Sequence, residues 1–416
     1  MTFGLKQPII YVTRDIERAF GLPLNSPNYY IISNSTEFAK SFLPSLKNVL
    51  LIRENRLLDT RELLDHKETR RFIQKIKNPS ILVFKNTIAI EKICRQNDWR
   101  LLNPSAALAA KIEEKISQVE WLGELSRFLP PYEIKVAREV NWKGQKFILQ
   151  FNRAHTGSGT ILIENKNQLR EIQAKFPKRE VRVTKFIDGV MLTNNNVVWG
   201  KKVLCGNTNL QITGLTPFTM MPFATIGNDY ALPESLLSPK QKKEYLKMAQ
   251  LIGKKMAQNG WKGLFGIDVM LEKNTGKLYL IEINARQPAS TSFESQLQKV
   301  KDKNGLTTFM AHLLALLGEK NFSAQLVAIK DGAQITQRVM PTKKNIKLKD
   351  LMKNISEFSK AGFGVVFYDN IEAETDWIRM QSKNTVMKTP TELNSRGVQM
   401  LAFALSNLQN NKEFKR

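Results

Sequence analysis

Residues 263–286 read GLFGIDVMLEKNTGKLYLIEINAR, two apolar runs joined by a short polar turn, with acids where a covered sheet should have none. Residues 264–272 and 278–284 carry Leu, Ile, Val, Phe or Tyr on both side-chain parities, the pattern of strands packed on both faces. Residues 273–277, with Asn274 and Gly276, supply the hairpin connection. Symmetry about Thr275 sets Asp268 opposite Glu282, and Asn284 and Arg286 follow on the parity of Glu282. Leu264, Gly266, Met270, Leu278 and Leu280 share that parity, which predicts that the two acids face each other in apolar company.

Like charges paired across a sheet repel, and a buried unpaired carboxylate costs several kcal/mol, so positive charge is expected between them. Two acid oxygens and an amide carbonyl, with Arg286 nearby, form a hard oxygen site suited to Mg2+ or Mn2+ carrying substrate phosphates. The alternative is a solvated strand face on which Arg286 or a lysine pairs the acids.

At 416 residues, 42% hydrophobic and 24% charged, the chain has the composition of a globular protein of two or three domains. No apolar run approaches the length that crosses a bilayer, and the N-terminus enters the strand-like PIIYVT without a signal-peptide pattern, so a cytoplasmic enzyme is expected. Cys94 and Cys205 stand alone, and His66, His155 and His312 lie in no ligand spacing, which argues against a disulfide framework or a zinc hydrolase. The formal charge of +25 favours polyanions, but the lysines are spread along the chain and no nucleic-acid motif accompanies them.

In residues 1–104 short apolar runs (IIYV, YYIIS, VLLI, ILVF) alternate with helical stretches at 60–77 and 88–97, a Rossmann-like α/β layout without GxGxxG. A helix over 105–128 follows within a linker, 105–131, that the prolines at 130 and 131 close. A β-rich module spans 132–200, in which strand FILQF enters RAHTGSG and strand TILI leaves. A loop between two strands is neither a P-loop nor a dinucleotide loop; Gly157 and Gly159 around Ser158 make a mobile hairpin tip whose N–H groups can reach phosphate oxygens. Residues 201–330 hold a long amphipathic helix over 239–259, with Tyr245, Met248, Ala249, Ile252 and Met256 on one face. Residues 331–416 form a last α+β piece with strands ITQRV and FGVVFY and a closing helix.

This combination resembles the ATP-grasp superfamily of ADP-forming ligases, in the arrangement of biotin carboxylase and related carboxylate-amine ligases. The resemblance rests on the EEK helix, the glycine hairpin, the VTKFIDG hinge and, most specifically, the GIDVML–EINAR pair. It implies an α/β (α+β) ATP-grasp fold: an N-terminal Rossmann-like pre-ATP-grasp domain, a small glycine-loop lid and a larger C-terminal α+β subdomain. It implies ATP and Mg2+ as cofactors, with Asp268, Glu282 and Asn284 on the metal and Lys115 and Arg286 as catalytic cations at the phosphates. Gln150, Arg153, His155, Thr156, Gly157, Ser158 and Gly159 would form the closing lid, and Thr184, Lys185, Phe186 and Ile187 the hinge, where the backbone of Lys185 and Ile187 holds adenine. Arg338 and Gln211 would meet the substrate.

Departures are visible. Gln150 stands where relatives carry a lysine before the glycine loop, though Arg153 could supply a charge from the loop; Thr184 stands where they carry an acid, and QPASTSFES after Arg286 does not match bicarbonate-handling residues. The resemblance implies small-molecule carboxylate and amine substrates and admits a homodimer. An ATP-binding protein without turnover and a nucleic-acid-associated protein are the competing readings.

Overall fold

The structure is a computed structural model, and it describes residues 5–42, 47–152, 159–320, 325–340, 343–345 and 348–410. The first layer is a parallel sheet of β1 (Ile9–Val12), β2 (Tyr29–Asn34), β3 (Val49–Ile52), β4 (Ser80–Val83) and β5 (Arg100–Leu101), in the order β3-β2-β1-β4-β5. Its apolar runs have no polar face because both faces are covered. Ile10, Val12, Ile32, Ile81 and Val83 pack against Leu63, Leu64, Ile73 and Ile90 of the layer's own helices. Ile9, Tyr11, Tyr29, Ile31 and Leu82 instead join a core with Phe309, Leu313 and Ile335, and so dock the layer onto the rest of the chain.

A small antiparallel sheet follows, of β6 (Tyr132–Val136), β7 (Phe147–Phe151), β8 (Thr160–Ile163) and β9 (Glu180–Lys185), ordered β6-β9-β7-β8. The chain then enters a nine-stranded sheet. Its strands are β10 (Gly189–Trp199), β11 (Lys202–Leu204), β12 (Asn209–Thr213), β13 (Thr225–Asp229), β14 (Gly263–Glu272), β15 (Leu278–Asn284) and β16 (Ala333–Arg338), and, beyond the short β17 (Lys343–Asn345), β18 (Phe363–Phe367) and β19 (Asp376–Ser382). The order is β15-β14-β10-β12-β13-β16-β19-β18, with β11 on β10, while β17 pairs outside this sheet with Leu408–Asn410. Two of the sequence boundaries cut through this layer. β10 pairs along its length with β14, so the passage from small to large sheet falls at 186–188 and not at 200, and β16 carries the sheet past residue 330.

The helix expected over 105–128 is broken. Ala106–Glu113 ends at Glu114, whose backbone is extended (φ −70°, ψ 135°), and a new turn runs Ser117–Leu122. Asn152, at the end of β7, holds the break: its Nδ2 donates to Glu114 Oε2 at 2.9 Å, and its Oδ1 accepts from Ile116 N at 2.8 Å. Lys115 falls in the break, and its Nζ reaches Glu282 on β15.

β14 and β15 pair antiparallel with Asp268 opposite Glu282 and Gly266 opposite Asn284, the register that symmetry about Thr275 predicts. Toward the turn the register slips by one, with Val269 opposite Leu280, so Ile281 is the extra residue of a bulge. The bulge corrects the parity reading: Leu278 and Leu280 pack with Ile283, Ile267 and Val269 under the helix Pro239–Gln258, on the face away from Glu282. That helix buries Tyr245, Met248, Ala249, Ile252 and Met256 completely, as its spacing requires. Gly276, at φ +67°, makes the turn that an L side chain would strain.

Candidate active site

Four segments converge on the acid pair: the broken helix with Lys115, β10 with Thr193, β12 with Gln211, and the β14–β15 hairpin. Thr193 lies opposite Asp268 in the β10–β14 register, which puts both on one face. Gly266 makes the close approach there; a Cβ on it would stand 2.9 Å from Pro288 Cγ and 3.4 Å from Asn284 Cβ.

Asp268 is 9% exposed. Asn284 Nδ2 donates to its Oδ2 at 3.2 Å, while its Oδ1 is buried with no hydrogen-bond partner of good geometry. Burial first, and the Glu282 charge second, push its pKa up to about 6, against the hydrogen-bonding pull of Thr193, Gln211 and Asn284. Burial also works to raise Glu282, yet Lys115 above all, then Arg286 and Arg182, hold it below the usual carboxylate range. Lys115 Nζ lies 3.1 Å from Glu282 Oε1. The two acids are thus unlike: Glu282 has cations around it, and Asp268 has no cation within ion-pair distance among the described residues.

Arg286 does not pair with either acid. Its Nη2 donates to Asn284 Oδ1 at 2.8 Å, its Nε lies 3.4 Å from Glu113 Oε1, and its guanidinium stands 5.6 Å from the centre of the Phe84 ring. Glu113 is bridged in turn to Lys85, 2.6 Å away. Arg286 thereby orients Asn284, leaving its amide nitrogen turned to Asp268.

Gln211 lies near enough to Asp268 to pull its pKa down. It continues outward: Thr225 Oγ1 donates to Gln211 Oε1 at 3.1 Å, and Arg338 Nη2 donates to the Thr225 carbonyl at 3.2 Å. Arg338 is lightly held. Its Nε is buried without a partner, and Glu374 Oε2 is 3.8 Å from Nη1.

The nucleotide residues divide. Arg153, His155, Thr156, Gly157 and Ser158 lie outside the described residues, and Gly159 accepts the Phe151 N–H through its carbonyl at 2.9 Å, closing the base of the β7–β8 hairpin. Gln150 is buried and bonded to Arg182 and Thr160. Thr184 is buried opposite Tyr132 and Ile148 and does not reach the acid pair. Lys185 N donates to the Pro131 carbonyl at 2.9 Å and its Nζ to Glu272 Oε1 at 3.1 Å. Phe186 lies under Lys146 Nζ, 4.1 Å from the ring centre, and Ile187 is buried.

Sequence reasoning missed Arg182 and Asn152. Arg182 looks like one more polar residue in an alternating strand, and only the pairing of β7 with β9 reveals that it stands beside Gln150. Asn152 follows FILQF and gives no sign of the helix break it clamps.

Whether a divalent ion fits can be judged from these atoms. A buried carboxylate and a second one directly across the ladder are hard donors of the kind Mg2+ takes, and the Asn284 amide oxygen, which accepts from Arg286 here, would join them with the amide turned over. Among the described residues no group of three His, Cys, Asp or Glu side chains gathers. No described helix is long and apolar enough to cross a membrane.

Residues 112–290 match the family described as ATP-grasp domain. That stretch takes in the helix break, the small sheet and the acid-bearing hairpin, and solved ATP-grasp enzymes share the fold over nearly the whole chain. The N5-carboxyaminoimidazole synthase of Aspergillus clavatus, solved with ADP and 5-aminoimidazole ribonucleotide, superposes with a TM-score of 0.62 at 15% identity, covering 98% of this chain and 100% of that one. The L-amino acid ligase of Bacillus licheniformis gives 0.64 at 11% identity, with 98% of each chain covered. The biotin carboxylase domain of the Hydrogenobacter thermophilus 2-oxoglutarate carboxylase, solved with MgADP and bicarbonate, gives 0.63 at 11% identity, covering 97% of this chain and 90% of that one. No curated protein matches the sequence. The α/β (α+β) ATP-grasp fold that the resemblance implies is borne out.

Proposed function

We propose that the protein is an ATP-dependent, ADP-forming ligase that activates a carboxylate as an acyl phosphate for attack by an amine or similar nucleophile. The observation that carries this reading is the Asp268–Glu282 pair, set face to face in register with Asp268 buried and without an ion-pair partner among the described residues, and with Lys115 and Arg286 beside it. The relatives solved with ADP or MgADP support ATP and Mg2+ as its cofactors.

Asp268, Glu282 and Asn284 would hold the ion. When bound, it would screen the charge of the nucleotide's β- and γ-phosphates. A carboxylate oxygen of the substrate attacks the γ-phosphorus, the bond from that phosphorus to the β-bridging oxygen breaks, and ADP leaves. Lys115 and Arg286 offset charge on the transferring group. The nucleophile then attacks the activated carbonyl, phosphate departs with the carbonyl-side electron pair of the C–O bond, and the nucleophile's proton is released. Arg338, joined to the acid pair through Thr225 and Gln211 and short of partners, supplies a guanidinium for the substrate carboxylate. Water must be kept from the acyl phosphate, a task that suits the glycine hairpin closing over the site. A cytoplasmic setting, where ATP is abundant, fits this chemistry.

An ADP-release assay across mixed small acids, amino acids and amines tests the reading. Magnesium-dependent ADP formation stimulated by one acid and nucleophile together is expected. ATP binding with no substrate-stimulated ADP from any pair would favour a binder without turnover.

A further inference from the structure

Arg182 is the most deeply buried cation near the acid pair, at 2% exposure. Its Nε donates to Gln150 Oε1 at 2.9 Å and its Nη1 to Gln118 Oε1 at 3.3 Å. Both partners are neutral amides. Each is pinned from behind, Gln118 Nε2 on the Ile112 carbonyl at 2.8 Å and Gln150 Nε2 on Thr160 Oγ1 at 3.3 Å, so both oxygens are fixed toward the guanidinium. Among the described residues no carboxylate lies within ion-pair distance of Arg182. Burial accordingly pulls its pKa down to about 10, and the Glu282 charge reaches it and works the other way.

A guanidinium costs several kcal/mol to bury, and amide oxygens repay little of its lost hydration. A structural tie between the strands could be made by apolar or amide side chains without that cost. The surroundings also bear on the question. Lys115 and Arg286 act on the same Glu282 as Arg182 does, so three cations meet around one acid that is already neutralised by the first. A buried cation with no carboxylate of its own is placed to meet an anionic ligand.

Resting on the nucleotide reading above, we infer that Arg182 is a phosphate-binding residue. It supplies from β9 the positive charge that Gln150 does not supply from the neighbouring β7, and Gln150 and Gln118 hold it in place. The register makes the exchange geometrically direct, because Gln150 and Arg182 are opposite one another and share a face of the sheet.

Calorimetric titration of the full chain with MgATP, MgADP and adenosine tests this in wild type, Arg182→Gln, Arg182→Lys and the double variant Arg182→Gln/Gln150→Lys, with nucleotide-free thermal unfolding on each. Arg182→Gln is expected to weaken MgATP and MgADP by about ten- to a hundredfold, the size of one charged hydrogen bond, with adenosine affinity unchanged. Arg182→Lys should fall between the two, and the added Gln150→Lys change in the double variant should recover most of the loss, which a merely structural arginine would not allow. Unaltered MgADP affinity in Arg182→Gln, or equal loss for adenosine and MgADP without recovery in the double variant, overturns the inference alone. If Arg182→Gln does not fold, Arg182→Lys is read in its place, and equal weakening of MgADP and adenosine there overturns the inference. Wild type that binds no adenine nucleotide overturns the nucleotide reading and this inference together.

Discussion

The small sheet and the acid-bearing hairpin of the large sheet face the same few ångströms of space with opposite electrical problems. On the hairpin, Asp268 is a buried acid without a cation, and Glu282 is a half-exposed acid with several. On the small sheet, Arg182 is a buried cation without an acid. Each side is locally unfavourable, and the two do not cancel by pairing, since Glu282 takes Lys115 as its ion-pair partner. A ligand that is anionic toward the small sheet and brings a divalent cation to the hairpin relieves both at once, which is the charge distribution of a magnesium-bound nucleotide triphosphate.

The largest expected effect breaks the hairpin side. Glu282→Gln or Asn284→Ala should cut magnesium-dependent ADP release by about a hundredfold or more with the nucleotide-free fold retained, as judged by circular dichroism and turnover assays. Normal turnover in either variant would remove those residues from the metal. Next, Arg338→Ala should raise the KM for the acid substrate on the order of tenfold with a smaller change in kcat, because the residue grips a group that is charged before and during reaction. A kcat loss with unchanged KM would move Arg338 out of the substrate site.

A smaller effect sharpens the comparison through pH. Asp268 sits at about 6 in the fold against an ordinary 3.8, so between those values the folded chain binds more protons than the unfolded one, and stability falls as pH rises through the window. Asp268→Asn removes this penalty. Without nucleotide or metal, its melting temperature should exceed wild type by about 2–4 °C above pH 6 and converge with it near pH 4 in a thermal-unfolding series. A gap that does not change with pH would show that the Asp268 charge is not the cause. By the same titration, wild-type magnesium affinity should weaken below about pH 6. The smallest effect concerns Asn152. Asn152→Ala loses two hydrogen bonds across the helix break and should cost about 1–3 kcal/mol in chemical denaturation, with ATP turnover lowered through a displaced Lys115. Unchanged stability and turnover would show that the break forms without its clamp.

Much of this was legible in the chain. The hairpin's two-sided apolar runs and its Asn/Gly turn fix two adjacent antiparallel strands, and symmetry about Thr275 correctly pairs Asp268 with Glu282. The spacing of Tyr245, Met248, Ala249, Ile252 and Met256 gives the helix beneath them. Parity failed at Leu278 and Leu280 because a single extra residue, Ile281, reverses the alternation, and nothing in the composition of IEIN announces a bulge. The uninterrupted helix over 105–128 failed for a related reason, since helical propensity continues through EEK and the break comes from Asn152, 38 residues along the chain from Glu114.

Local physics therefore settled which segments become strands and helices and which acids meet across a tight turn, because short-range sterics, periodicity and turn geometry act within a few residues. Only the assembled fold decided where the positive charge lies. Gln150 in isolation reads as a missing lysine; beside β9 it becomes the seat of Arg182. Charge interactions depend on distance through space and on burial, and both are fixed only once β7 and β9 have paired and the broken helix has closed over them.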